Sequence, residues 1–123
     1  MKRLTARFYK TAAGNLPVRE WLLALPVEDR GIVGRDIAKV EFGWPIGMPT
    51  SRPVGKGLRE VRSTIRRGKV EARVIFAVDS NIMILLHGHE KKPSRQQGDI
   101  GTAAARWSDY KRRKGNRDDE EEA

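Results

Sequence analysis

The chain has 123 residues and no cysteine, and its 25 Lys and Arg against 16 Asp and Glu give a formal net charge of +9. That length suits one domain with a modest core, and the lack of cysteine excludes disulfides, thiolate metal sites and a cysteine nucleophile. No apolar run approaches the roughly 18 residues that cross a bilayer, and "MKRLTARFYK" lacks the apolar stretch of a signal peptide, so a soluble cytoplasmic protein is the expectation.

In chain order, the β-prone "RLTARFYK" predicts a first strand over residues 3 to 9. "NLPVREWLLAL" predicts a short amphipathic helix, with Asn15 as its cap, Pro17 in the first turn and Val18, Trp21, Leu22 and Leu25 on one face. Pro26 restarts a second helix in which Val33, Ile37 and Val40 keep helical spacing, Glu28 and Asp29 sit near the positive end, and Gly43, Trp44 and Pro45 stop it. Residues 44 to 57, with three Pro and three Gly, are expected to form a basic loop without regular structure. Three strand-like runs follow, residues 58 to 65, 70 to 78 and 82 to 89, an antiparallel meander joined by "RRGK" and "DSN". A last helix carries Ile100, Ala103, Ala104, Trp107 and Tyr110 on one face. The fold class is therefore α+β, with a domain over residues 1 to 114 and a charged tail, 115 to 123, expected to be disordered.

Charge is unevenly spread. Residues 111 to 123 hold five basic and five acidic groups, so residues 1 to 110, with 20 basic and 11 acidic, carry the whole excess. Eight basic residues fall from Arg52 to Arg73, namely Arg52, Lys56, Arg59, Arg62, Arg66, Arg67, Lys69 and Arg73, against Glu60 and Glu71. Such a field attracts polyanions, nucleic acid above all. All of these except Arg62 and Arg73, together with Arg95, are candidate RNA contacts.

Pairing registers separate the faces of the meander. A turn centred between Arg67 and Gly68 sets Val61 opposite Val74, Ser63 opposite Ala72 and Ile65 opposite Val70, an apolar side for the two helices to cover. The other side then sets Arg62 directly opposite Arg73, which folding alone disfavours and an anion such as phosphate would reward, the alternative being that Glu60 or Glu71 neutralises the pair as a solvated network. Reading "DSN" as a three-residue loop with Asn81 left-handed sets Arg73 opposite His87, puts Ile82, Ile84 and Leu86 into the covered core, and adds His89, Lys91 and Lys92 to the arginine face. A two-residue turn would instead turn both histidines into the core. Trp107 and Tyr110 are expected to pack on Met83, Leu85 and Ile75.

Cleavage of RNA by its own 2′-hydroxyl needs a base on that hydroxyl, cations on the developing phosphorane charge and an acid for the leaving 5′-oxygen. Arg62, Arg73, His87, His89, Lys91 and Lys92 supply groups of each kind and are the candidate catalytic residues. DNA lacks the required hydroxyl. The His-x-His spacing with Glu90 also resembles half of a zinc site, but neighbouring Lys and Arg repel a dication and no third ligand is spaced for it, so no metal and no cofactor are expected.

Taken together, "GLREVRS", "ARVIFAVDSNIMILLHGHEKKPSR" and "DIGTAAARWSDY" resemble the RelE/ParE toxin superfamily, closest to its HigB-like, phage-associated branch. The branch's Gly-Leu-x-Glu-Leu-Arg strand, next-strand Arg, Leu-His-Gly-Phe-x-Lys-Lys segment and Ala-x-x-Arg helix fall on Gly57 to Arg62, Arg73, Leu86 to Lys92 and Ala103 to Arg106. His89 stands where the branch has Phe, and Pro93 where Thr is common. The resemblance implies a RelE-like fold and a type II toxin–antitoxin toxin that cleaves mRNA in the ribosomal A site, a metal-independent mRNA interferase that inhibits translation. It also implies a cognate antitoxin of helix-turn-helix type and operator DNA bound only through that antitoxin. A ParE-like gyrase inhibitor and a non-catalytic phage nucleic-acid-binding protein are the alternatives.

Overall fold

The computed structural model describes residues 1–92 and 96–122, without the side chains of Gln96 and of residues 116–122. The elements run β1 (Thr5–Phe8), α1 (Pro17–Ala24), α2 (Val27–Gly43), β2 (Ser51–Gly55), β3 (Leu58–Ile65), β4 (Val70–Asp79), β5 (Ile82–Glu90) and α3 (Gln96–Glu122). They form one five-stranded sheet in the order β1-β5-β4-β3-β2, with β1 parallel to β5 and every other pair antiparallel. The α+β class and the succession strand, two helices, meander, helix are those expected.

The stretch expected to lack regular structure contributes a strand. β2 lies at the sheet edge, where Pro53 withholds an N–H that only solvent would meet, and its register slips between Pro53 and Gly55. The first helix is capped at Leu16 rather than Asn15, because Asn15 instead closes a turn with Thr11: its backbone N–H donates to Thr11 Oγ1 at 3.0 Å. α3 continues through the segment expected to be a tail as far as Glu122.

The sheet is covered on both faces. On one, α1 and α2 bury Val18, Val33, Ile37 and Val40 against Val61, Ile65, Ala72, Val74, Phe76, Met83 and Leu85, apolar area whose removal from water drives the folding of a chain this small. Two acids on α2's sheet-facing stripe fix the far end of the hairpin. Asp36 accepts from Ser63 Oγ at 2.7 Å, and the buried Asp29 accepts from the Arg66 N–H and meets Arg66 Nε, both at 3.0 Å. On the other face α3 lays Ile100, Ala103, Ala104, Trp107 and Tyr110 over Leu58, Ile75, Ala77, Ile84 and Leu86. Trp107 and Tyr110 are thus core residues, but they pack on the face opposite Met83 and Leu85.

That correction has a local cause. β3 and β4 pair as predicted, Val61 with Val74, Arg62 with Arg73 and Ile65 with Val70. Between β4 and β5, however, Asp79 pairs with Ile82 across a two-residue turn in which Ser80, not Asn81, takes the positive φ of 57°. Met83 and Leu85 then face the helical hairpin, and Ile82 and Ile84 face α3. A bulge follows: Phe76 pairs with Leu85 but Ile75 with His87, leaving Leu86 as the extra residue. The slip flips the end of β5, so His87 and His89 lie on the α3 face and Gly88 points at the hairpin. Gly88 leaves room for that packing, since a Cβ would stand 2.4 Å from the ring of Trp21 and force one of the two to shift.

Candidate active site

The register brings Arg62, Arg73 and His89, rather than His87, into one row across β3, β4 and β5. Around Arg62 and Arg73 the sheet has gathered charge that a hydrophobic layer would not tolerate unpaired. Glu60, 2% exposed, sits among three guanidiniums: Arg73 Nε at 3.0 Å, Arg52 Nε at 3.6 Å and Arg62 Nη1 at 3.9 Å from its oxygens. Arg73, equally buried, is also held by Glu71 at 3.3 Å and donates to the Ala72 carbonyl at 2.8 Å. Thr64 and then Arg73 and Arg62 hold the Glu71 carboxyl below its ordinary range, through the threonine hydroxyl first.

One carboxylate cannot satisfy three guanidiniums. Among the described residues Arg52 Nε, Arg62 Nη1 and Arg73 Nε, and Glu60 Oε2 itself, are buried and make no hydrogen bond: Arg73 Nε is close enough at 3.0 Å but wrongly directed, and Arg52 Nε and Arg62 Nη1, at 3.6 and 3.9 Å, stand too far for donation. Arg62 and Arg52, the two members partly open to solvent, therefore carry excess positive charge and uncommitted donors. Arg73 serves from beneath.

The imidazoles are organised by α3. Asp99, in its first turn, takes His87 Nε2 on Oδ1 at 2.7 Å and His89 Nδ1 on Oδ2 at 3.1 Å. The two rings stack with centroids 5.4 Å apart. Arg106 donates from Nη1 to the Leu86 carbonyl at 2.8 Å, which the bulge has freed from the ladder, and reaches His87 Nδ1 at 3.3 Å. Burial lowers the affinity of His87 for a proton, outweighing the opposing pull of Asp99. Neither Asp99 nor Arg106 stood among the candidates from sequence. Arg106 lay inside the family-like Ala-x-x-Arg, and the only signal for Asp99 was an acid opening the last helix.

The other candidates are spread out. Lys91 and Lys92 are exposed just beyond β5, where the Lys91 N–H donates to the Glu71 carbonyl at 2.7 Å. Lys56 occupies the β2–β3 turn, and Arg67 and Lys69 the β3–β4 turn, all exposed. Arg66 is drawn to Asp29 and, at 3.9 Å, to Glu90. Arg59 lies on the opposite face, stacked 5.4 Å over the Trp44 ring and donating to Ser51 Oγ and the Ile46 carbonyl, so it buttresses the loop before β2. Arg95 lies outside the described residues.

A cavity of about 630 Å³ opens at the far end of β5, between the β1 edge and the later turns of α3. Its walls anchor the helix. Tyr110 donates to Asp79 at 2.6 Å, Tyr9 to Asp109 at 2.6 Å, and Lys114 and Arg113 close the same two carboxylates. Burial, then the Asp79 hydrogen bond, pushes the Tyr110 hydroxyl up to about 12.

Residues 20–108 match the family described as Phage derived protein Gp49-like (DUF891). No curated protein matches the chain. The matched span begins within α1 and ends within α3, so it includes the whole Arg–His face and both α3 side chains that bind its histidines.

Proposed function

Since the chain belongs to the Gp49-like phage-derived family, a RelE/toxin-like family of the toxin–antitoxin type, we propose that it is a ribosome-dependent endoribonuclease that cuts mRNA by attack of the 2′-hydroxyl, held in check by a cognate antitoxin. The observation that carries this is the row Arg62, Arg73, His89, which sets an imidazole beside a guanidinium cluster with more positive charge than its carboxylates neutralise. Phosphate is what such a cluster recognises, through the outward donors of Arg62 and Arg52, while Glu60, itself held by Arg73, attracts both guanidiniums. An imidazole beside a bound phosphodiester can take the 2′-hydroxyl proton near neutral pH, and fixed cations stabilise the charge that develops on phosphorus. Lys91, Lys92 and the exposed cations of the two turns extend the field along which RNA is drawn in.

Ribosomal RNA and mRNA are then the nucleic-acid partners. Expression in a bacterium is expected to arrest growth with mRNA cut inside reading frames, and Arg62→Ala, a partly exposed position, to relieve the arrest while the protein still folds. Undiminished toxicity of both Arg62→Ala and His89→Ala contradicts the assigned site. Intact mRNA with a DNA-damage response points to gyrase instead.

A further inference from the structure

We propose that Asp99 is the positioning residue of this site, sorting two neighbouring imidazoles into different roles and making His89 Nε2 the base; this rests on the RNA-cleavage reading above. The assignment follows from which partners can only donate and which can only accept. Guanidinium only donates, so His87 Nδ1, 3.3 Å from Arg106 Nη1, must accept, and its proton lies on Nε2, directed to Asp99 Oδ1 at 2.7 Å. Both nitrogens of His87 are thereby committed and the ring is a neutral strut. His89 is the reverse case. Its Nδ1 faces two acceptors, Asp99 Oδ2 at 3.1 Å and the Glu90 carbonyl at 3.3 Å, so the proton lies on Nδ1 and the lone pair on Nε2. Among the described residues nothing hydrogen-bonds to that nitrogen, and the ring is not sealed, keeping 10% exposure.

A carboxylate that fixes one ring nitrogen as donor and leaves the other as acceptor is the arrangement that makes an imidazole an oriented base and stabilises the imidazolium once formed. In the step this supports, Nε2 takes the proton of the 2′-hydroxyl as the O2′–P bond forms. The P–O5′ bond breaks, the 5′-oxygen leaves with a proton from water, and a 2′,3′-cyclic phosphate remains. The same carboxylate explains why two histidines stand one residue apart without repelling as cations. It is one acceptor for two N–H groups, and one of the two rings stays neutral because Arg106 holds its second nitrogen.

The charged and titratable groups around His89 are Asp99 from α3, the stacked His87 on its own strand with Arg106 of α3 behind it, and Arg73 across the ladder on β4, while Glu90, its side chain drawn to Arg66, offers the ring only its carbonyl. Of these only Asp99 contacts a ring nitrogen through its side chain, so its removal has a distinct signature. Single-turnover cleavage of mRNA on programmed ribosomes is measured across pH for wild type, Asp99→Asn, Asp99→Glu and His89→Ala, with ribosome binding followed separately. Asp99→Asn is expected to slow cleavage about 100-fold or more, by the scale of other oriented imidazoles, with binding unchanged and the acidic limb of the profile moved to lower pH. Asp99→Glu should recover part of the rate, and His89→Ala should remove it. Nitrogen-15 spectra of the histidines give a readout independent of turnover: neutral His87 protonated on Nε2 and neutral His89 on Nδ1, with the second preference weakened in Asp99→Asn, where the Glu90 carbonyl at 3.3 Å is the acceptor that remains.

Wild-type cleavage with Asp99→Asn unchanged in rate and pH profile overturns the role of Asp99 alone. So does the opposite tautomer on His89. A wild-type chain that binds ribosomes and never cuts overturns the nuclease reading itself, and the spectra then still decide whether Asp99 sorts the two rings.

Discussion

Arg73 and His89 face each other across β4 and β5, yet the carboxylates that hold them come from different places. Arg73 is neutralised from within the sheet, by Glu60 across the ladder and Glu71 on its own strand, and the whole group is local to one hairpin and the edge strand beside it. His89 and His87 are held from outside the sheet, by Asp99 in the first turn of a helix that packs over them. The first arrangement buries charge permanently and so belongs to stability. The second makes the contacts of two imidazoles depend on the seating of α3, and under the proposed cleavage it serves activity. Substitutions that divide stability from activity along this line test the distinction.

The largest effect is expected at Glu60. Glu60→Ala leaves the buried Arg73 guanidinium without its closest counter-ion, a loss of about 3–5 kcal/mol for breaking a buried pair, read as a fall in the denaturant midpoint. Arg62→Ala should cost under about 1 kcal/mol, as for other partly exposed ion pairs, and abolish cleavage. If the two exchange roles, Arg62 destabilising and Glu60 silent, the division fails.

Gly88→Ala comes next. Its Cβ would meet Trp21 at 2.4 Å, backbone against a packed ring, an overpacking cost of about 1–3 kcal/mol. Because the clash lies on the hairpin side, a folded Gly88→Ala variant should also shift His89 and slow cleavage. Full activity at full stability would show that β5 does not depend on that contact.

A smaller effect separates His87 from the arginine cluster by pH. Burial holds the folded His87 below its ordinary value of 6.5, so the unfolded chain binds the proton first as pH falls. Stability contributed by neutral His87 is therefore complete above that value and declines as the solution is acidified below it. His87→Asn should flatten this decline in thermal melts between pH 7 and the acid limit of folding. A slope unchanged by the substitution contradicts the neutral, buried assignment. Smallest is Tyr110→Phe, which removes the 2.6 Å bond to Asp79 at the far end of α3. About 0.5–1.5 kcal/mol should be lost with cleavage unaffected, because that end of the helix carries no part of the site.

The same division explains what the sequence disclosed. The Arg62–Arg73 pairing was legible because a hairpin register depends only on its turn, and "RRGK" names the turn through Gly68, whose φ is 87°. The placement of His87 and His89 on the arginine face was also correct, but through a different route, since a shorter turn and a bulge at Leu86 each shift the register and together return the histidines to it. Alternating hydrophobicity cannot reveal the bulge, because "IMILL" is apolar throughout and places no polar residue on either face before His87. Asp99 was illegible for a stronger reason. It lies ten residues beyond His89 in sequence, across a connection, and only tertiary packing brings its carboxylate onto both rings. β2 was missed because Pro and Gly counted against a strand, a sound rule inside a sheet that fails at its edge.

The central claim is that this face cuts RNA with the RNA's own 2′-hydroxyl. An mRNA whose cut site has been mapped on the ribosome can be rebuilt with a single 2′-deoxynucleotide on the 5′ side of that bond. The account predicts that the all-RNA message yields a 2′,3′-cyclic phosphate end and that the deoxy message, bound equally well, stays whole. Cleavage of the deoxy message at the same bond would contradict it.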